Sequence, residues 1–447
     1  MTKHEHSGLY VSVFSRWFIT IMCGYTFGIC MAYSMNMHLF VEHLVAELQI
    51  TYSMAAVIPA AAQTLLQAAS PLANVLLHRV GYRQCLVCCG IVSFGAQMAS
   101  ACTSNYIVDV ICLGVINGFS SCVTMTACPI MVCCLFEPRI RPKAYSVLFT
   151  SVGLALFLVP AIFEGSYEHY GFRSTLLVLS PLFLQNCATG MLFPPTQSLD
   201  PPKSHIDTKQ EESNRADSLE KTNLATDAEC EVHTAKSISN SSPPNFLYLW
   251  KQPLFLATCL TCFLGELCVA IMCTFNTSIL IDGFHLTSSQ SAYVVMTGAI
   301  VSIILRASLS FWPQCPNILP HWLLWAFFSM LLGISIILFT ALVKWWAWPY
   351  IIQSLYAGSA GQYFLLHTVV ISELYSVNEF PTVFAYSYAM FGLGALIGPL
   401  LAGVLKDWIG SFDSTLIITG GAMTGFIVLP LLGLAIRKIW VLFRQRR

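Results

Sequence analysis

Two ionisable residues lie deep inside long apolar runs. Arg306 falls in Ser302-Ile-Ile-Leu-Arg306-Ala-Ser308 and Glu266 in Phe263-Leu-Gly-Glu266-Leu-Cys268. A charge at membrane depth is costly unless it is paired or faces water, so such residues mark sites. The planar fork of Arg306 suits bidentate contact with a substrate carboxylate. The competing reading is an arginine that snorkels to the headgroups. Ser302, one turn earlier on the same helix face, would share its surroundings. Glu266 reads either as a proton-carrying carboxyl or as a structural acid bonded to a neighbouring helix, including permanent pairing with Arg306. His38, in Ser34-Met-Asn-Met-His38, titrates in a range suited to proton handling, and its alternative is a neutral hydrogen-bonded ring near the interface. His367 supports a weaker version of the same statement. Asn36 and Asn117 are further polar candidates for a solute cavity.

These residues can be singled out because charge is scarce. Of 447 residues, 56% are apolar and only 10% are Asp, Glu, Lys or Arg, against about 25% in soluble domains. A soluble protein of this size would lack the charge to make its surface. The apolar content suffices for about twelve spans of ~20 residues. Zero net charge, with no broad basic stretch before the C-terminal tail, argues against nucleic acid as a partner.

The 18 cysteines lie mostly inside apolar runs, where a thiol acts as a small apolar group. Cys85 and Cys88 have C-x-x-C spacing without a second pair at zinc-finger distance. No phosphate loop, zinc-protease helix, nucleophile elbow or dinucleotide fingerprint occurs, so neither enzymatic chemistry nor a cofactor is expected. Met1 to Arg16 is a short polar lead, and the apolar run after it is too long for a cleavable signal.

Helices are predicted at 17–41, 53–77, 85–103, 106–135, 144–163 and 172–193, then at 252–276, 291–312, 322–342, 346–371, 383–405 and 414–436. Residues 194–251 between the sets carry nine acidic residues and read as a largely disordered linker. The division is thus a lead (1–16), a six-helix bundle (17–193), the linker, a second bundle (252–436) and a basic tail (437–447). With an inside N-terminus, the inner side holds 18 Lys and Arg and the outer side three, Arg173, Lys344 and Lys406. That asymmetry predicts cytoplasmic termini and linker. The sequon at Asn276 lies too near the bilayer for ready glycosylation. Six helices, a linker and six helices is the layout of two-bundle carriers that hold substrate near midplane.

Several segments resemble the major facilitator superfamily. Leu77-His78-Arg79-Val80-Gly81-Tyr82-Arg83 is similar to its D-R-x-G-x-R cytoplasmic loop, with His78 at the acidic position. Arg139-Ile-Arg141-Pro-Lys143-Ala144-Tyr-Ser146, with Ser151 and Ala155, resembles the fifth-helix pattern R-x-x-A-x-G-x-x-x-x-G-x-x-x-G of its monocarboxylate transporter family, small residues replacing the glycines. Gly114 to Pro129 and Gly392 to Asp413 are also family-like. The resemblance implies an all-α polytopic membrane protein with the major facilitator superfamily fold, twelve transmembrane helices in two six-helix bundles. It also implies gating loops around Arg79, Gly81, Arg83, Arg139 and Arg141.

Proton-coupled members carry a first-helix Lys and an eighth-helix Asp. Ser34 and Ser302 stand at those positions here, so the Arg remains without its acidic partner. The expected function is alternating-access transport of small monocarboxylates or related organic anions, with Arg306, Ser302, Asn36 and Asn117 at the solute. Glu266 and His38 are the proton-coupling candidates. The resemblance further implies a plasma-membrane location and a single-pass immunoglobulin-like ancillary protein. Two alternatives stay open: a facilitator of a neutral or zwitterionic solute, amino-acid- or creatine-like, and a non-transporting sensor or scaffold.

Overall fold

The computed structural model describes residues 13–37, 39–193, 249–311, 320–341, 345–409 and 412–427. His38, nearly all of the predicted linker, most of the lead and the whole basic tail lie outside them. An apolar run in lipid must satisfy its own backbone groups, which a helix does. Among the described residues there is no strand.

The first run forms α1 (Val13–Met35) and stops short of the expected end. There the Asn36 side chain turns back and donates to the Ala32 carbonyl at 2.8 Å, a local bond that competes with helix continuation. A separate helix that the sequence pattern did not reveal follows, α2 (Leu39–Leu48). The second run divides into α3 (Tyr52–Ala68) and α4 (Ser70–Val80). Pro71 opens α4 and has no amide to continue the ladder. Gly81, at φ 99°, makes the tight turn into α5 (Tyr82–Cys102), a backbone conformation that glycine adopts without strain.

The fourth run contains α6 (Tyr106–Asp109), a π-helical stretch (Val110–Ile116) and α7 (Asn117–Leu135). α8 (Arg141–Leu179) joins the predicted fifth and sixth spans across a break at Gly171, and α9 (Pro181–Leu192) completes the half. The second half comprises α10 (Pro253–Phe284), α11 (Ser288–Ser308), α12 (His321–Leu338), α13 (Trp348–Leu374), α14 (Phe380–Ile409) and a helix over 413–427. A capping box between Thr287 and Gln290 starts α11.

Among the described residues, nine stretches are long and apolar enough to cross a bilayer. The other three expected spans are the divided α3–α4, the polar-rich α13, and 413–427 at the edge of the described chain.

In the first half α1 lies along α8 and α5 along α9, while α7 contacts α1, α3, α4 and α5. In the second, α10 lies along α14 and α13 touches both α11 and α12. The halves meet where α14 crosses α3 and α4, and where α8 meets α11 and α13. Small residues permit these approaches: a Cβ at Gly28 would lie 2.7 Å from the Ser151 carbonyl.

One charged cluster stabilises the first half. Fully buried Asp109 accepts from Arg173 Nη1 and Nη2 at 2.9 and 3.0 Å, and from Ser100 Oγ at 2.5 Å. Arg173 Nε also reaches Glu47 at 2.6 Å, so α2, α5, α6 and α8 are tied together.

Candidate functional site

Between the halves lies a cavity of about 330 Å3, of a size that suits a small solute. Arg306 and Ser302 line it from α11, and Asn36 from just beyond α1. Phe27 and Met31 on α1, Phe149 on α8, Met272 and Asn276 on α10, and Gln353, Tyr356 and Phe364 on α13 complete most of the wall. The lining is mainly apolar and holds a single cation.

Arg306 is 7% exposed and turned inward. Its Nη1 donates to the Phe149 carbonyl across the half-to-half boundary at 3.0 Å, and its Nε has no hydrogen-bond partner. Among the described residues it forms no ion pair. Gly361 on α13 makes room for this side chain, since a Cβ there would stand 2.6 Å from Arg306 Nε and against Ser302 Oγ.

A second cavity of about 400 Å3 adjoins the first, with Met35 and Cys273 bordering both. Ser34, Gln63, Thr64, Glu266 and Thr274 supply its polar lining. Glu266 is 1% exposed, and its Oε1 accepts from Gln67 Nε2 on α3 at 3.2 Å, again between the halves. Its Oε2 has no partner. The permanent Glu266–Arg306 pair considered from sequence does not form.

The remaining candidates disperse. Asn117 is buried at the start of α7 and lines neither cavity, so the structure separates it from the residues expected beside it. His367 is 1% exposed among Trp325, Phe384 and Phe391, with both ring nitrogens unpartnered. Of the loop residues, Arg79, Arg83 and Arg139 are exposed. Arg141 is buried and donates to the carbonyls of Phe136 and Ser372, both at 3.0 Å. The Ser372 bond joins α8 to the end of α13. Nearby, Ser146 Oγ donates to the Arg306 carbonyl at 2.5 Å, and Ser310 Oγ donates to Ser146 Oγ at 2.8 Å. These bonds close the Arg141 end, while the first cavity runs from Arg306 toward Asn36 and Asn276 at the opposite end.

Sequence reasoning missed Gln353, Tyr356, Asn276 and Gln63. The first two belong to a stripe through 353, 356, 357, 360 and 364, whose spacing places it on one helix face. Asn276 was visible only as a sequon, yet it is half-buried in α10 with Oδ1 unpartnered.

Two polytopic halves around a shared cavity with one buried cation define a membrane carrier fold, and residues 22–362 match the Major Facilitator Superfamily. The chain belongs to that superfamily and is an integral membrane protein. Within it, the similar proteins are monocarboxylate transporters at the low identity of a diverged member. Monocarboxylate transporter 4 of Gallus gallus is 28% identical over 202 residues, 45% of this chain and 41% of that one. Monocarboxylate transporter 12-B of Danio rerio is 21% identical over 381 residues, 79% of this chain and 73% of that one. The match to the chicken protein therefore spans less than half of its length. The crystal structure of the human organic anion transporter MFSD10 (TETRAN) has a TM-score of 0.64 at 14% identity, covering 94% of this chain and 99% of that one. The proton:xylose symporter XylE gives 0.70 at 13% identity, covering 93% and 94%. At these identities the two structures establish the fold alone.

Proposed function

We propose that this protein is a secondary transporter that carries small monocarboxylate-bearing solutes across the plasma membrane by alternating access. The observation that carries this reading is Arg306, a buried guanidinium without an acidic partner among the described residues, in a mainly apolar cavity between the halves. The names of the sequence relatives agree with it. The solute carboxylate takes Arg306 Nε and a terminal nitrogen, a fork that a guanidinium presents without rearrangement. Its apolar portion lies against Phe27, Phe149 and Phe364. Charge-assisted bonds of this kind contribute about 1.5–3 kcal/mol each.

On this reading the Arg141 end faces the cytoplasm, with both termini, as the lysine and arginine asymmetry predicts. The cavity then faces outward, and rocking the halves breaks the Arg141, Ser146 and Ser310 bonds to expose it inward. Uptake of radiolabelled butyrate into proteoliposomes, with and without a pH gradient, tests the proposal. Arg306→Ala is expected to abolish uptake and Arg306→Lys to leave a minor fraction. Full uptake by an equally reconstituted Ala variant refutes the assignment.

A further inference from the structure

We propose that the Glu266 cavity is the second pole of the same binding site, and that the preferred solute is a zwitterion. Its carboxylate sits at Arg306 and a protonated nitrogen sits at Glu266. The proposal rests on the transport reading above and adds the solute's second charge.

Glu266 and Arg306 present the same unresolved electrostatics with opposite signs. Each is buried, each is bonded to a neutral group of the opposite half, and each keeps an unpartnered polar atom. A buried charge held by one neutral partner is poorly compensated. They do not compensate each other, because no ion pair joins them. A simple monocarboxylate would neutralise Arg306 and leave Glu266 as it is. A zwitterion neutralises both at once.

The second cavity also has the chemistry of a cation receptor. An ammonium offers three donors and no acceptor. Facing it would be Glu266 Oε2 and, from α3, Gln63 Oε1, both lacking partners. The hydroxyls of Ser34, Thr64 and Thr274 add acceptor oxygens, and no Lys, Arg or His contributes to the lining. Thr274 already donates its proton to the Ala270 carbonyl at 2.9 Å, so its lone pairs remain for a donor.

Continuity between the poles comes from Met35 and Cys273, which border both cavities. Gln63 Nε2, from the second cavity's wall, donates to the Met35 sulfur at 3.3 Å. A methionine is the side chain best able to yield to an aliphatic chain passing it. The solute therefore has an unbranched spacer that separates carboxylate from nitrogen.

The test compares matched pairs on the reconstituted full chain: butyrate with 4-aminobutyrate, pentanoate with 5-aminopentanoate, and hexanoate with 6-aminohexanoate. In the wild-type protein, at least one amino acid is expected to have a half-saturation about tenfold below its parent carboxylate, the step set by one added charge-assisted contact. Butylamine, which lacks the carboxylate, should not compete. Glu266→Gln should bring the ratio to about one, and Gln63→Leu should lower it in the same direction. The wild-type ratio alone keeps the test decisive if a variant fails to fold. Absence of any amino preference in the wild type overturns the proposal. So does a Glu266→Gln variant that keeps the ratio but loses the effect of a pH gradient, which would make Glu266 a proton carrier. Both results leave Arg306-dependent butyrate uptake standing. Full uptake after Arg306→Ala instead defeats the underlying transport reading.

Discussion

Gly361→Ala offers the sharpest test of how Arg306 is positioned. The added Cβ would lie 2.6 Å from Arg306 Nε and 3.3 Å from its Nη2, and would also press on Ser302 Oγ. Restoring ordinary contact requires the guanidinium to retreat by about 1 Å, because α13 and α11 are already in close contact. Overfilling a well-filled site costs about 1–3 kcal/mol, and a shift of that size breaks the alignment of a bidentate carboxylate contact. A loss of about 1.5–3 kcal/mol in solute binding corresponds to roughly a 10- to 100-fold rise in half-saturation. The assay is concentration-dependent butyrate uptake into proteoliposomes, with thermal unfolding as the check on fold. Gly358→Ala is the control: its Cβ meets the tip of Leu305 at 2.6 Å, and its nearest atoms belong to Leu305 and Val301 rather than to Arg306. A folded Gly361→Ala protein with half-saturation within about twofold of wild type would show that the space at Gly361 does not position Arg306. An equal rise in Gly358→Ala would reduce the effect to one of general crowding.

Arg141→Ala removes the bond to the Ser372 carbonyl; at about 1.5–3 kcal/mol the equilibrium should move toward opening at that end by roughly 10- to 100-fold. Alkylation of Ser372→Cys in inside-out vesicles, followed by mass spectrometry, should accelerate accordingly, and an unchanged rate would contradict the latch. Asp109→Asn leaves Arg173 without its bidentate acceptor, so the protein should lose about 3 kcal/mol, seen as an apparent unfolding midpoint several degrees lower. An unaltered midpoint would show the cluster to be dispensable. His367→Leu deletes two ring nitrogens that have no partner, so stability should hold or rise by about 1 kcal/mol with uptake retained. Selective loss of uptake would assign the ring a chemical role.

The number of spans is legible in the sequence because bilayer thickness sets the length of an apolar run. Their internal breaks are only partly so. Pro71 announces the α3–α4 division, whereas the π-helical stretch at Val110–Ile116 differs from an α-helix in hydrogen bonding rather than in residue type. Arg306, Ser302 and Asn36 could be grouped because a polar side chain at depth needs a reason to be there. Asn117 satisfies the same rule and lies elsewhere, since depth along one helix does not determine which neighbour it faces. Glu266 was recognisable as a special residue, but its separation from Arg306 by Met35 and Cys273 is a product of tertiary packing. Gln63 and Gln353 are uncharged, so nothing in composition distinguished them from other amides.

The bond from Arg306 Nη1 to the Phe149 carbonyl makes the proposed solute receptor a fastener between the two halves. For a transporter this turns recognition into competition. A carboxylate on Nε and Nη2 pulls the whole guanidinium toward the solute and away from a backbone oxygen of the opposite half, so gripping cargo and loosening the seam are one molecular event. Without cargo Nη1 returns to Phe149 and resists unladen turnover. Such a carrier favours exchange of one solute for another over idle cycling, with a brake and a trigger sharing a single side chain.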